Sequence, residues 1–151
     1  MIVRLAGLTL PGHFVFAAGS ALLLGVLLGC SVEDEPSEET AVVFDGRAET
    51  LNGTVTCTAQ PNGKLVILAV ADNQEMVRVL LRRQHQLVVE KVGVRIGSTR
   101  GYTADSGNMW ATKVDDAYTI NGRMPPDAGE ATWHDFTIDV RCRTEATPES
   151  G

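Results

Sequence analysis

Phe136-Thr137-Ile138-Asp139-Val140-Arg141-Cys142 alternates without a fault. Phe136, Ile138, Val140 and Cys142 fall on one side of an extended chain, and Thr137, Asp139 and Arg141 fall on the other. Apolar residues at a period of two mark a strand with one face buried and the other in water. A helix would scatter the same four residues around its circumference.

The alternation recurs through the chain. Val55 and Cys57 are interleaved with Thr54, Thr56 and Thr58, and Val92, Val94 and Ile96 with Gly93 and Arg95. Tyr118 and Ile120 share a face, and Asp115-Asp116 before them suits a hairpin turn from Trp110–Val114 into Tyr118–Ile120. Leu65-Val66-Ile67-Leu68-Ala69-Val70 is a continuous apolar run, consistent with a strand buried on both faces. Turn signals stand at Asp45-Gly46, Asn52-Gly53, Pro61-Asn62-Gly63, Ser106-Gly107 and Asn121-Gly122. Together these predict one mainly β domain over residues 41–144, a small antiparallel sheet or sandwich. One stretch is open to two readings. Asp72-Asn73-Gln74-Glu75 has the form of a helix capping box, and a helix over Gln74–Arg83 would place Met76, Val77, Leu80 and Leu81 on one side. That would make the domain α+β with one short helix. Alternating Val77, Val79 and Leu81 argue instead for a strand, and the β-branched content favours it.

The two ends differ in character from this domain. Phe14–Gly29 is an uncharged apolar run of 16 residues, short of the ~20 that comfortably span a bilayer. It closes on Leu27-Leu28-Gly29-Cys30, which resembles the bacterial lipobox. A small residue before a cysteine at the end of a signal sequence implies lipid on the Cys30 sulfur, cleavage before it and acylation of the new amino terminus. Residues 1–29 are thus read as a lipoprotein signal peptide, and the membrane as a partner reached through covalent lipid. Residues 30–40 follow as the lipidated cysteine and an acidic tether. Ser31–Thr40 carries Glu33, Asp34, Glu35, Glu38 and Glu39 with little apolar surface, so it cannot repay its ordering entropy. Residues 145–151 are read as a disordered tail.

Beyond Cys30 the chain holds two cysteines, Cys57 and Cys142. An even pair in an exported chain points to a disulfide, closing a loop worth up to about 4–5 kcal/mol in the chain-entropy model. Two buried free thiols are the alternative. The chain holds 13 Lys+Arg against 19 Asp+Glu, a net charge of −6. Losing Arg4 with the leader takes this to −7, which argues against a nucleic-acid partner. Residues 76–100 reverse the sign: Arg78, Arg82, Arg83, Lys91, Arg95 and Arg100 face only Glu90. A solvated strand surface is the plain reading. The sharper one is a set of contacts from Arg78, Arg82 and Arg83 to anionic surfaces.

Catalytic chemistry finds no motif. Trp133-His134-Asp135 sets an imidazole beside a carboxylate, but neighbours along a strand point to opposite faces, and no Gly-x-Ser-x-Gly accompanies them. His134 is read as a surface histidine and His85 as part of an exposed polar turn. Asp115-Asp116 lacks the spacing of a calcium loop. Asn52-Gly53-Thr54 fits the N-glycosylation sequon and is read as a turn entering a strand. No metal, no cofactor and no enzymatic activity are expected.

The ordered set of motifs resembles the mycobacterial 19-kDa lipoprotein antigen family. The lipobox at Cys30 is followed by Val43-Phe44-Asp45-Gly46, Asn52-Gly53-Thr54-Val55-Thr56-Cys57 and Gly101-Tyr102-Thr103. Tyr118-Thr119-Ile120-Asn121-Gly122 and Phe136–Cys142 complete it, so the likeness covers almost the whole domain. The resemblance implies a lipid-anchored protein on the extracytoplasmic face of the cell membrane, immunogenic through its acyl chains and without enzymatic activity. Two functional expectations follow: a surface antigen or interaction domain recognised by host receptors, or a carrier with a lipid or glycolipid in an apolar pocket between sheet layers. The departures are the short acidic tether, where the family's is long and Ser/Thr/Ala-rich, and the basic segment Arg78–Gln86. Glycosylation of the tether is therefore not expected.

Overall fold

The computed structural model describes residues 38–147. The leader, Cys30 and residues 31–37 lie outside them. Ten strands and two short 3-10 turns fill the range: β1 (Glu38–Phe44), β2 (Arg47–Gln60), β3 (Lys64–Val70), β4 (Met76–Arg82), β5 (Val88–Ile96), β6 (Thr99–Thr103), β7 (Met109–Val114), β8 (Ala117–Met124), β9 (His134–Arg141) and β10 (Glu145–Ala146). The mainly β reading holds. Gln74–Arg83 is not a helix. Asn73 Oδ1 accepts from the Glu75 amide at 3.2 Å, a local turn, and the Glu75 carboxylate accepts from Gly97 N at 2.8 Å across the sheet. The Glu75 carboxylate of the apparent capping box is therefore spent on a β connection, and the local turn is made by Asn73 in place of Asp72.

The strands form one open sheet in the order β6-β5-β4-β3-β2-β1-β9-β8-β7. All its pairings are antiparallel except that of β10, which lies parallel to β2. The 14-residue β2 joins the two halves. Its first part, Arg47–Gly53, pairs with β1, and its second, Thr54–Gln60, pairs with β3. The sheet then rolls until β5 approaches β7 and β6 approaches β8 across the core. Alternation fills that core: Val42, Leu51, Ile67, Val79, Tyr118 and Ile138 are all at most 2% exposed. Gly101 of β6 makes one close approach possible, since a Cβ there would collide with the Met124 sulfur and meet Phe44 Cε2 at 3.7 Å.

The folded domain reaches past the expected 41–144 at both ends. Glu38, Glu39 and Thr40 are strand, because Thr40 continues the inward series of Val42 and Phe44 and Arg143 neutralises Glu38 at 3.1 Å. Glu145–Ala146 are β10, not tail. The apolar run of β3 is buried on one face only: Leu65, Ile67 and Ala69 point inward while Val70 is 39% exposed. Asp45-Gly46 and Asn62-Gly63 are turns, with φ of 50°, 76°, 65° and 69° in chain order. Asn52-Gly53 and Asn121-Gly122 are not; both lie inside strands. Their glycines admit a neighbouring chain instead. A Cβ at Gly53 would overlap the Val70 carbonyl, and one at Gly122 would stand 2.8 Å from the Asn108 carbonyl oxygen and 2.9 Å from Phe136 Cζ.

Cys57 of β2 and Cys142, just beyond β9, are joined by a disulfide with a Cα–Cα distance of 5.7 Å. Both are buried. The bond ties the β9 end of one half to the β2 end of the other. Residues 38–147 thus carry one core and its covalent closure, so a chain that begins at residue 31 keeps every described contact.

Cys57→Ala with Cys142→Ala is expected to lower the unfolding free energy by about 4–5 kcal/mol, since the bridge spans 85 residues. Urea unfolding of the double variant would check this. Gly53→Ala should cost about 1–3 kcal/mol through overpacking against β3, with thermal unfolding as the measure, whereas Gly107→Ala on the surface should cost far less.

Candidate functional site

Side chains at Met76, Arg78 and Leu80 leave β4 on the outward face, because Val77, Val79 and Leu81 take the inward one. Register carries the pattern across the neighbouring strands. Met76 lies beside Arg95 and Arg95 beside Arg100; Arg78 lies beside Gly93 and Gly93 beside Tyr102; Leu80 lies beside Lys91. Gly93 has no side chain to fill the middle of this face. The result is a groove of about 710 Å³, with Asp127 at its rim. Its charged groups are Arg78, Lys91, Arg95 and Arg100 against the single carboxylate of Asp127. Its apolar surface comes from Met76, Leu80 and Tyr102, whose ring would lie 3.8 Å from a Cβ built on Gly93.

The groove cations are free of ion pairs among the described residues. Arg95 Nε donates to the Gln74 carbonyl at 3.0 Å, which fixes the guanidinium without neutralising it. Most other arginines are spoken for. Arg82 Nε lies 3.1 Å from Glu90, which also binds Lys64 at 2.8 Å; Lys64 foremost, then Arg82, holds the Glu90 carboxyl below its ordinary range. Arg83 meets Glu145 at 2.6 Å, a contact that raises the guanidinium's pKa further. Of the three arginines expected to contact anionic surfaces, Arg78 therefore faces the groove, while Arg82 and Arg83 brace the sheet. The sequence counted all six cations of residues 76–100 but could not say which were neutralised, because Glu145 is distant in the chain. Strand register supplies what was missing, setting Arg78, Lys91, Arg95 and Arg100 on one face.

The second cluster lies at the turn from β1 to β2. His134 Nδ1 is 2.6 Å from Asp45 Oδ2, and its Nε2 is 2.8 Å from Glu130 Oε2. Phe44 stacks on the ring at 5.2 Å. The expected surface histidine is thus a clamped one, and its partners are Asp45 and Glu130 in place of the adjacent Asp135. Hydrogen bonds donated to Asp45 and then to Glu130 raise the pKa of His134, and the bond accepted from His134 lowers that of Asp45. When protonated, the ring donates from both nitrogens to carboxylates, and that imidazolium has no lone pair to accept a proton from a substrate. Among the described residues no group of three His, Cys, Asp or Glu side chains is placed to hold a metal ion.

The interior between the two halves of the sheet is occupied by the core side chains, Leu51, Ile67, Val79 and Ile138 among them. The groove lies on the outer surface of the sheet, not where a carrier pocket between layers was expected.

The profile of the family described as Mycobacterium 19 kDa lipoprotein antigen matches residues 33–142. No curated protein matches the chain.

The histidine clamp has a defined pH window. A raised His134 contributes stability that is complete below its ordinary 6.5 and is lost as pH climbs through the raised folded value. A lowered Asp45 contributes stability that is complete above its ordinary 3.8 and is lost as pH falls through the lowered folded value. The stability difference between the wild type and His134→Gln should therefore be largest from pH 3.8 to 6.5 and shrink on either side. Urea midpoints measured across pH would check it.

Proposed function

The chain belongs to the Mycobacterium 19 kDa lipoprotein antigen family, and from that premise we propose that it is a non-enzymatic protein of the cell envelope, anchored by acyl chains on Cys30 at the extracytoplasmic face. The observation that carries this is positional. Leu27-Leu28-Gly29-Cys30 closes an uncharged apolar run, and the family match begins at residue 33, directly behind it. Among the described residues no helix is long and apolar enough to cross a membrane. In this proposal the lipid on Cys30 makes the attachment, with residues 31–37 as the link to β1.

On this reading the domain is a display unit. The disulfide suits an oxidising compartment, and a histidine held by two carboxylates argues for a structural part in place of catalysis. Host pattern receptors would recognise the acylated amino terminus, which residues 31–37 would link to the sheet.

Cys30→Ala is the test. The wild-type chain should carry diacylglyceryl and amide-linked acyl mass and partition into the detergent phase. The variant should lose both, together with pattern-receptor activation. A variant that keeps its acyl mass and stays with the membrane fraction would refute the anchor.

A further inference from the structure

We propose that the outer groove of β4, β5 and β6 binds the phosphate-bearing headgroup of an anionic phospholipid in the membrane to which the chain is tethered. The charge arrangement identifies the class of ligand. Arg78, Lys91, Arg95 and Arg100 converge on one face with only Asp127 opposing them, and no ion pair among the described residues neutralises them. By contrast Arg82, Arg83, Arg123, Arg141 and Arg143 are all paired with carboxylates. A domain that matches its arginines so widely and leaves four cations together has kept that charge for an external anion.

The apolar half of the groove makes the anion an amphiphile. Met76 and Leu80 flank the cations on β4, and the Tyr102 ring, 57% exposed, leans over the Gly93 gap. A small hydrophilic anion would leave that surface in water. A phospholipid would set its phosphate among the guanidinium groups and its glycerol and upper acyl carbons against Met76, Leu80 and Tyr102. Tyrosine suits the boundary between headgroups and hydrocarbon, having an apolar body and a polar tip.

The path of the chain places a membrane within reach. β1 starts at Glu38, which pairs with Gly53. The next residue of β2, Thr54, starts a row that continues through Val70, Met76, Arg95 and Arg100. The entry point of the domain and the Arg95–Arg100 end of the groove therefore lie at one level along the sheet, that of the middle of β2. From Cys30 to Glu38 the chain spans at most about 28 Å when fully extended, comparable to the width of these strands side by side. An anchor at Cys30 so keeps that level of the sheet within reach of the headgroups. The proposal takes from the anchor reading only which membrane is near.

The test uses residues 31–151, which lack Cys30 and cannot be acylated, in co-sedimentation with vesicles of phosphatidylcholine alone or mixed with phosphatidylglycerol. The domain should be retained on the mixed vesicles and not on the neutral ones. Arg95→Gln with Arg100→Gln should weaken retention about 25-fold, from roughly fivefold per charge near an anionic surface. Lysine at both positions should restore most of it. Arg123→Gln with Arg141→Gln, the same loss of charge away from the groove, should weaken it far less. Leu80→Asn with Tyr102→Ala should also reduce retention with no change in net charge. Equal retention on neutral vesicles, equal loss from the two arginine pairs, or no loss from the apolar pair would each overturn the proposal. Because no acyl chain takes part, failure here leaves the fractionation of Cys30→Ala unaffected. A chain not lipidated at Cys30 would likewise leave this binding measurable.

Discussion

Backbone hydrogen bonding along β2 is the constraint from which the rest of the fold follows. A buried amide or carbonyl left without a partner costs as much as a lost hydrogen bond, and β2 is long enough that no single neighbour covers it. β1 serves its first half and β3 its second. The far edge of that second half is covered by β10, parallel to Cys57 and Thr58. Two carboxyl-terminal residues thus complete a ladder begun near the amino terminus. Arg83 then holds Glu145 of β10 from the loop after β4, and the Cys57–Cys142 bond fixes the chain just ahead of it. The shared strand makes one sheet of two halves, and rolling that sheet encloses the core.

Much of this was legible in the residues. Period-two alternation gave the strands around Phe136–Cys142, Val92–Ile96 and Tyr118–Ile120, and the burial of those residues repeats it position by position. The disulfide followed from an even pair of cysteines on apolar faces. What escaped was information held between distant segments. Asn52-Gly53 and Asn121-Gly122 read as turns because Asn-Gly is turn chemistry locally. Each glycine is in fact a gap for a chain that lies far off in sequence. Glu38–Thr40 read as tether because charge dominates their composition, yet they need only alternate correctly and find a ladder. His134 is the same lesson in miniature: its partner is not the adjacent carboxylate but Asp45, brought up by the β1–β2 turn.

The charges divide in a way that composition does not show. A net −6 hides a domain in which arginines on several strands are matched one by one with acids, while four cations on β4, β5 and β6 are not. Matching braces an exposed sheet at little energetic gain. Unmatched charge on a hollow face is available to something outside. Lipid at Cys30 would anchor the chain, and an anion-seeking groove would set which face of the sheet turns to the headgroups.

The disulfide also governs what a cut would do. Every strand from β3 to β9 lies between Cys57 and Cys142. A protease that nicked any loop in that span would open the chain without dividing the molecule. Both fragments would stay covalently joined to the segment that carries Cys30. Freeing β4–β6 from Cys30 with one cut would therefore take a cut between Cys30 and Cys57, or a nick between Cys57 and β4 followed by reduction of the buried bond.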